Sequence, residues 1–297
     1  MESFFIPYQA TQTLPQGTIL VLAPHPDDEV FGCGGAIMQH IAQGNTVRVI
    51  ILTDGSAATT HADEDARRAY IQLRQAESRQ AAKHLGYGEP LFWEIPDRHL
   101  QVDSQLIEKL RDFITTNQIQ QIYAPSPAEI HPDHYACAQL ALSLLAQLPI
   151  TYIMYEIGMP LRPNQLLDIT PYLDRKQQAT NCFSSQLSIQ DYGRHLYGLN
   201  VYRSYTLPVT VIAAEAYYVL THANWRENPF REFGESRQTT IMSQMARQLT
   251  EQAQRLTEQT HTLERVYYST SWRVTYPLRA FKQHWRLLKR LLHKLVA

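Results

Sequence analysis

The chain has 297 residues, 44% of them hydrophobic and 19% charged, with a formal net charge of −1. That length can bury a sizeable core, and the balance excludes a disordered chain and offers no basic field for a nucleic-acid partner. The charge is uneven, however: from Arg273 onward there are seven Arg/Lys and no Asp/Glu, which leaves 20 basic against 28 acidic residues before it. Cys33, Cys137 and Cys182 are widely spaced and form no CxxC pair. They read as small core residues of a reducing compartment. No basic n-region with an apolar core opens the chain and no run of about 18 apolar residues occurs in it, so a cytoplasmic protein is expected.

In chain order, residues 19–23 (Ile-Leu-Val-Leu-Ala) read as a buried strand, which Pro24 and Pro26 stop because proline has no N–H for the ladder. His25, Asp27, Asp28 and Glu29 cluster in that turn, and Gly32, Gly34 and Gly35 lead into a helix expected over 35–43. Three carboxylates beside an imidazole repel one another unless a cation sits among them. Residues 46–53 read as a second strand, 62–85 as a long polar helix ended by Gly86, 91–93 as a short strand and 104–116 as a helix. Then the first layout recurs. The strand 119–124, a Pro125-Ser126-Pro127 stop, the cluster Glu129-Ile-His131-Pro-Asp133-His134 and a helix over 135–148 follow in order. Imidazole and carboxylate ligands without thiolate suit Zn²⁺ with an open position for water. A strand at 150–156 completes an alternation that predicts an α/β fold with a mostly parallel sheet flanked by helices, ligands binding at the carboxyl ends of its strands.

The two motifs, Ala-Pro-His25-Pro-Asp27-Asp28-Glu29 and His131-Pro-Asp133-His134, resemble those of the PIG-L/LmbE-like family of zinc-dependent N-acetyl-sugar deacetylases, and the likeness extends over roughly residues 17 to 222. The resemblance implies a Rossmann-like sheet and a zinc ion held by His25, Asp28 and His134. It implies Asp27 as general base and His131, kept charged by a carboxylate such as Asp133, as stabiliser of the oxyanion. Glu29 would support the cluster. Arg74, in an Arg-x-x-Glu segment with Glu77, could reach substrate, and Asp97, after a strand and a proline, could accept from sugar hydroxyls.

The expected activity is removal of the acetyl group from an N-acetylated sugar (free, nucleotide-linked or lipid-linked) in bacterial surface-polysaccharide or glycoconjugate biosynthesis. Other readings remain open: a zinc amidase of thiol-sugar conjugates or another small amide, a non-catalytic nucleotide-binding or scaffold protein, and a metal-binding protein without catalysis. Gly32-Cys33-Gly34-Gly35 lacks dinucleotide or P-loop spacing, which weakens the nucleotide reading. Intact Asp27 and His131 argue against loss of catalysis.

The deacetylase domain is expected over 1–235 and a helical tail over 236–297. In the tail Met242, Met245, Leu249, Leu256, Leu263 and Val266 follow a weak heptad pattern, with Gln252 and Gln259 in the seam, which suggests self-association. A Ser-x-Ser-Trp-Arg-Val-Thr-Tyr-Pro-Leu-Arg run from Ser269 resembles tails of bacterial surface-polysaccharide enzymes. Residues 277–296 read as a basic amphipathic helix with Leu278, Phe281, Trp285, Leu288, Leu292 and Leu295 on one stripe, suited to peripheral contact with an anionic membrane.

Overall fold

The computed structural model describes residues 6–227, 237–269 and 274–275. Seven strands form one sheet in the order β3-β2-β1-β4-β5-β7-β6. They are β1 Thr18–Ala23, β2 Thr46–Thr53, β3 Leu91–Ile95, β4 Ile119–Pro125, β5 Thr151–Tyr155, β6 Gln165–Asp168 and β7 Ala214–Thr221. Strands β3, β2, β1, β4 and β5 are mutually parallel; β7 runs antiparallel to β5 and to β6. The fold is thus the expected α/β class, with an antiparallel edge that the sequence pattern left undefined.

The helices are α1 Asp28–Ala42, α2 Glu64–Leu85, α3 Ser104–Thr116, α4 Pro132–Leu145, α5 Leu173–Thr180, α6 Ser184–Leu187, α7 Tyr192–Arg203 and α8 Arg237–Tyr268. Alternation along β1 shows how the sheet is covered on both faces. Ile19, Val21 and Ala23 belong to the apolar layer that contains Ile37 of α1, Ala81 of α2 and Ala179 of α5. Leu20 and Leu22 belong to the opposite layer, with Leu110 of α3 and Leu140 of α4. A strand buried on both faces must be apolar throughout, which is why β1 reads as an uninterrupted run.

After β1 the chain goes to β2 on one side, and later to β4 on the other. β1 and β4 are neighbours, with Val21 opposite Tyr123, so the turns that follow them open side by side. That is a topological switch point, the place where parallel sheets leave a crevice for a ligand.

The helix after β1 begins seven residues earlier than expected, at Asp28, because it is two helical pieces joined at Cys33 (φ −145°, ψ 24°). Glu215 of β7 explains the break. Its carboxylate accepts from Gly35 N–H at 2.7 Å and Ala36 N–H at 2.8 Å, so it caps the second piece from another element. Lys176 Nζ lies 2.7 Å from Glu215 and donates to Phe31 O at 3.0 Å, and Tyr217 Oη donates to Glu215 at 2.5 Å. Gly35 is required here: a Cβ would come within 2.3 Å of Ile169 and 2.9 Å of the Glu215 carboxylate. Gly32 likewise sits against Tyr155, at 2.3 Å.

Contacts divide the chain into a unit ending at Gly234 and a second starting at Glu235. In the second, α8 presents Leu249, Leu256 and Leu263 about two-thirds exposed, one heptad apart. The amphipathic helix expected over 277–296 lies outside the described residues. Among the described residues, no helix is long and apolar enough to cross a membrane.

Candidate active site

The β1 turn carries His25 and Asp27, and the first turn of α1 carries Asp28 and Glu29. The β4 turn ends at His131, the N-cap of α4, whose first position is Pro132, a residue that suits N1 because the N–H it lacks would have no helical partner. His134 follows on the first turn. Three atoms from the two turns converge: His25 Nδ1, Asp28 Oδ2 and His134 Nε2 are each 3.2 Å from the other two. A tetrahedral ion with ligand bonds of about 2.0–2.1 Å separates its ligand atoms by about 3.3–3.4 Å. The observed triangle is one face of such a tetrahedron, to within about 0.2 Å.

The carboxylates behind each imidazole fit the same interpretation. His25 Nε2 faces Asp133 Oδ2 at 3.2 Å and Asp97 Oδ1 at 3.3 Å, so its N–H points to those carboxylates and its Nδ1 lone pair points into the triangle. Their remaining lone pairs are partly taken by backbone donors: Ala57 N–H on Asp97, and Arg98 and Leu100 N–H on Asp133. His134 Nδ1 stands 3.5 Å from Glu129, which itself accepts from the N–H groups of Ile157, Gly158 and Met159. With both outer nitrogens protonated, three lone pairs face one another, an arrangement that a proton or a metal ion must relieve. His25, His131 and His134 also lie close enough to share an ion. But His131 Nδ1 already accepts from Asp133 N–H at 3.2 Å, which leaves His131 beside the triangle. Its ring meets that of His25 edge-on at 4.6 Å.

Titration follows this geometry. Burial disfavours charge on His25, yet bonds to Asp133, Asp28 and Asp97 raise it well above the usual imidazole range. His134 is likewise raised, against burial, to about 9 by Asp28 and Glu129. Burial would raise Asp28, but His134 and His25 outweigh it and hold the carboxyl far below its ordinary range. Asp27 differs from its neighbour. Burial pushes it up, Arg74 pulls it down and Asp28 pushes it up again, to about 7.

Asp27 is held in a strained backbone, φ 150° and ψ −28°. Arg74 Nη2 donates to its carboxylate at 3.1 Å and to Pro26 O at 2.7 Å, and Nη1 donates to Gly55 O at 3.1 Å. Glu29 accepts the Asp27 N–H at 3.1 Å. Burial and the nearby Asp27 charge raise Glu29 to about 8. Glu29 therefore supports the turn from beneath.

Three expectations are qualified. Arg74, expected to reach substrate, lines the cavity but is 2% exposed and also clamps two loop carbonyls and Asp27; it does not pair with Glu77, which accepts from Ser184 and Ser185. Asp97, expected to meet sugar hydroxyls, lines the cavity as expected of such a residue and in addition backs His25. Asp133 was expected to keep His131 charged, but its carboxylate faces His25 and the backbone of residues 98 and 100. Burial, with the charges of His25 and His134, lowers His131 to about 4 despite Asp133.

The triangle opens into a cavity of about 250 Å³ whose wall includes Asp27, His131, Phe31, Arg98, Ile189 and Tyr192. Four contributors were not foreseen as such: Glu129, Glu215, Lys176 and Arg98. For Glu215 and Lys176 a signal existed, namely a charge inside an apolar strand and a lone Lys on a helix that must pack.

Comparison with known proteins agrees with this geometry. Residues 20–145 match the family model described as PIG-L: GlcNAc-PI de-N-acetylase. A 4-oxalmesaconate hydratase of Pseudomonas putida is 28% identical over 207 residues, 62% of this chain and 80% of its own. A diacetylchitobiose deacetylase of Thermococcus kodakarensis is 25% identical over 186 residues, 57% of this chain and 69% of its own. The solved N,N'-diacetylchitobiose deacetylase of Pyrococcus horikoshii shares the fold, with a TM-score of 0.62 at 22% identity over 73% of this chain and 88% of that one. The matched residues 20–145 supply the whole triangle, Asp27 and His131, so the stretch similar to the PIG-L family model is the stretch that builds the site.

Proposed function

We propose that the protein is a zinc-dependent N-deacetylase acting on an N-acetylated sugar or sugar conjugate. The observation that carries this reading is the triangle of three inward-facing ligand atoms, 3.2 Å on each side, with the Asp27 carboxylate beside it in one cavity. His25, Asp28 and His134 would hold the ion. Zinc, when bound, supplies a water of lowered pKa and polarises a carbonyl.

The chain's own residues account for the remaining work. Asp27 takes a proton on its carboxylate and returns it to the leaving amine; near pH 7 a group brought to about 7 by burial can do both. Arg74 orients that carboxylate. His131 acts as a neutral donor. Its Nδ1 accepts from Asp133 N–H, so the ring proton sits on Nε2 and can be given as a hydrogen bond to the oxygen that gains charge. Phe31, Ile157, Ile189 and Tyr192 limit water around the acyl group.

The match to a de-N-acetylase family and the likeness to a diacetylchitobiose deacetylase support an amide substrate. A second reading comes from the hydratase relative, which matches more of the chain: the same base and ion could add water across a double bond. The biosynthetic context in surface polysaccharide rests on the run from Ser269 alone, and a cytoplasmic or membrane-peripheral location on composition alone. The test is acetate release by the zinc-loaded chain from free, nucleotide-linked and lipid-linked N-acetyl sugars. Acetate from at least one supports deacetylation, whereas none, together with hydration of an unsaturated dicarboxylate, would replace it.

A further inference from the structure

Arg98 occupies a turn position that favours glycine. The turn spans residues 96–99 and closes with His99 N–H donating to Pro96 O at 3.0 Å. Arg98, its third residue, has φ 66°. Turns of this kind take Gly there, because a Cβ at positive φ is crowded by the backbone. The strained conformation is pinned to the back of the triangle. Arg98 N–H donates to Asp133 Oδ2 at 2.7 Å, and the same oxygen is 3.2 Å from His25 Nε2.

The side chain then projects where it lines the cavity, and the residue is exposed. Its one hydrogen bond among the described residues is from Nη2 to Ala57 O at 3.3 Å, and no described carboxylate lies within ion-pair reach of it. The other arginine of the wall, Arg74, is committed to Asp27 and two carbonyls. A guanidinium presents a planar fork of donors that matches a phosphate or carboxylate with two parallel bonds. Strained backbone of this kind concentrates at ligand-binding sites, where the surrounding structure holds it in place.

We propose that Arg98 is a specificity residue that binds an oxyanion, phosphate or carboxylate, on the substrate, so that the substrate class is an anionic N-acetyl-sugar conjugate and not a neutral saccharide. The sugar part of this rests on the proposed deacetylase function, while the anion contact does not.

The test uses the zinc-loaded full chain as wild type, Arg98→Gln and Arg98→Gly, with N-acetylglucosaminides whose anomeric substituent is methyl, phosphate or glycolate. Binding is read by calorimetry and turnover by acetate release. The wild type should prefer phosphate or glycolate to methyl at least tenfold, and both variants should lose that ratio. Arg98→Gly should melt no lower than wild type, since glycine relaxes the turn. Which anion keeps the larger ratio identifies the source. A wild type without preference, or an Arg98→Gln variant that retains it, overturns the proposal. Binding preference without acetate from any of the three supports the anion contact and sinks the deacetylase reading instead.

Discussion

Asp27 and Asp28 are adjacent in sequence, but their carboxylates face different partners: Arg74 at 3.1 Å for the first, two imidazole nitrogens at 3.2 Å for the second. The strained backbone at Asp27 turns the two side chains apart. One carboxylate is held well below its usual range and the other is raised to about 7, against and with the burial both share. Groups whose environments push their proton affinities apart take different chemical roles.

Removing one corner of the triangle should therefore remove the ion. His25→Ala and His134→Ala are expected to bind far less than one equivalent of zinc, measured by metal analysis after dialysis. Full occupancy in both variants would show that the ion is held elsewhere.

Asp27→Asn should keep zinc and fold while losing turnover. The amide retains the shape and can still accept from Arg74, but it cannot take a proton. General acid–base help is worth typically ~10²–10⁴-fold. A loss of less than about tenfold in kcat, with zinc retained, would move the base to another group.

Much of this site is legible in the sequence because it is local. Two proline-stopped strands, each followed by a His/Asp cluster, place the ligands at neighbouring strand ends, and both clusters meet as expected. What was not legible depends on contacts far along the chain. The second piece of α1 was expected near Gly35, where Glu215, 180 positions along the chain, caps it; the first piece, from Asp28 to the break at Cys33, was missed. The role of Arg74 was missed because helix position alone does not reveal that its side chain points inward to Pro26 and Gly55. Asp97 was expected to meet sugar hydroxyls and Asp133 to serve His131, and the sequence carries no local sign that both carboxylates stand behind His25.

The Lys176–Glu215 pair gives a stability prediction. Both are nearly fully buried, and the carboxylate also accepts two backbone N–H groups. Glu215→Gln leaves the ammonium without its counter-charge and should cost about 3–5 kcal/mol in urea unfolding. Adding Lys176→Met should recover part of that loss. If the double variant costs as much as the two single ones together, the pair is not coupled.

His40 gives the pH dependence. Its Nδ1 accepts from Asn45 at 2.9 Å and its Nε2–H donates to Tyr123 Oη at 2.9 Å, so both nitrogens are used by the neutral ring. Burial lowers it to about 4 from an ordinary value of 6.5. The unfolded chain thus binds this proton first as pH falls. The contribution to stability is full above about pH 6.5 and falls away toward pH 4, by up to about 3 kcal/mol. His40→Gln lacks the titration, so its stability deficit relative to wild type should shrink over that interval. A constant deficit from pH 7 to 4 would assign the acid sensitivity to other groups.

His25 and His134 are 109 positions apart, and the β1–β4 pairing alone brings them together. An ion shared between them would act as a removable staple across that length of chain. Chain-entropy reasoning makes such a staple more valuable the longer the loop it closes, though the dependence is only logarithmic. A chelator should then do more than stop chemistry: it should lower the melting temperature of the whole sheet, and re-added zinc should restore it in proportion to the logarithm of its free concentration.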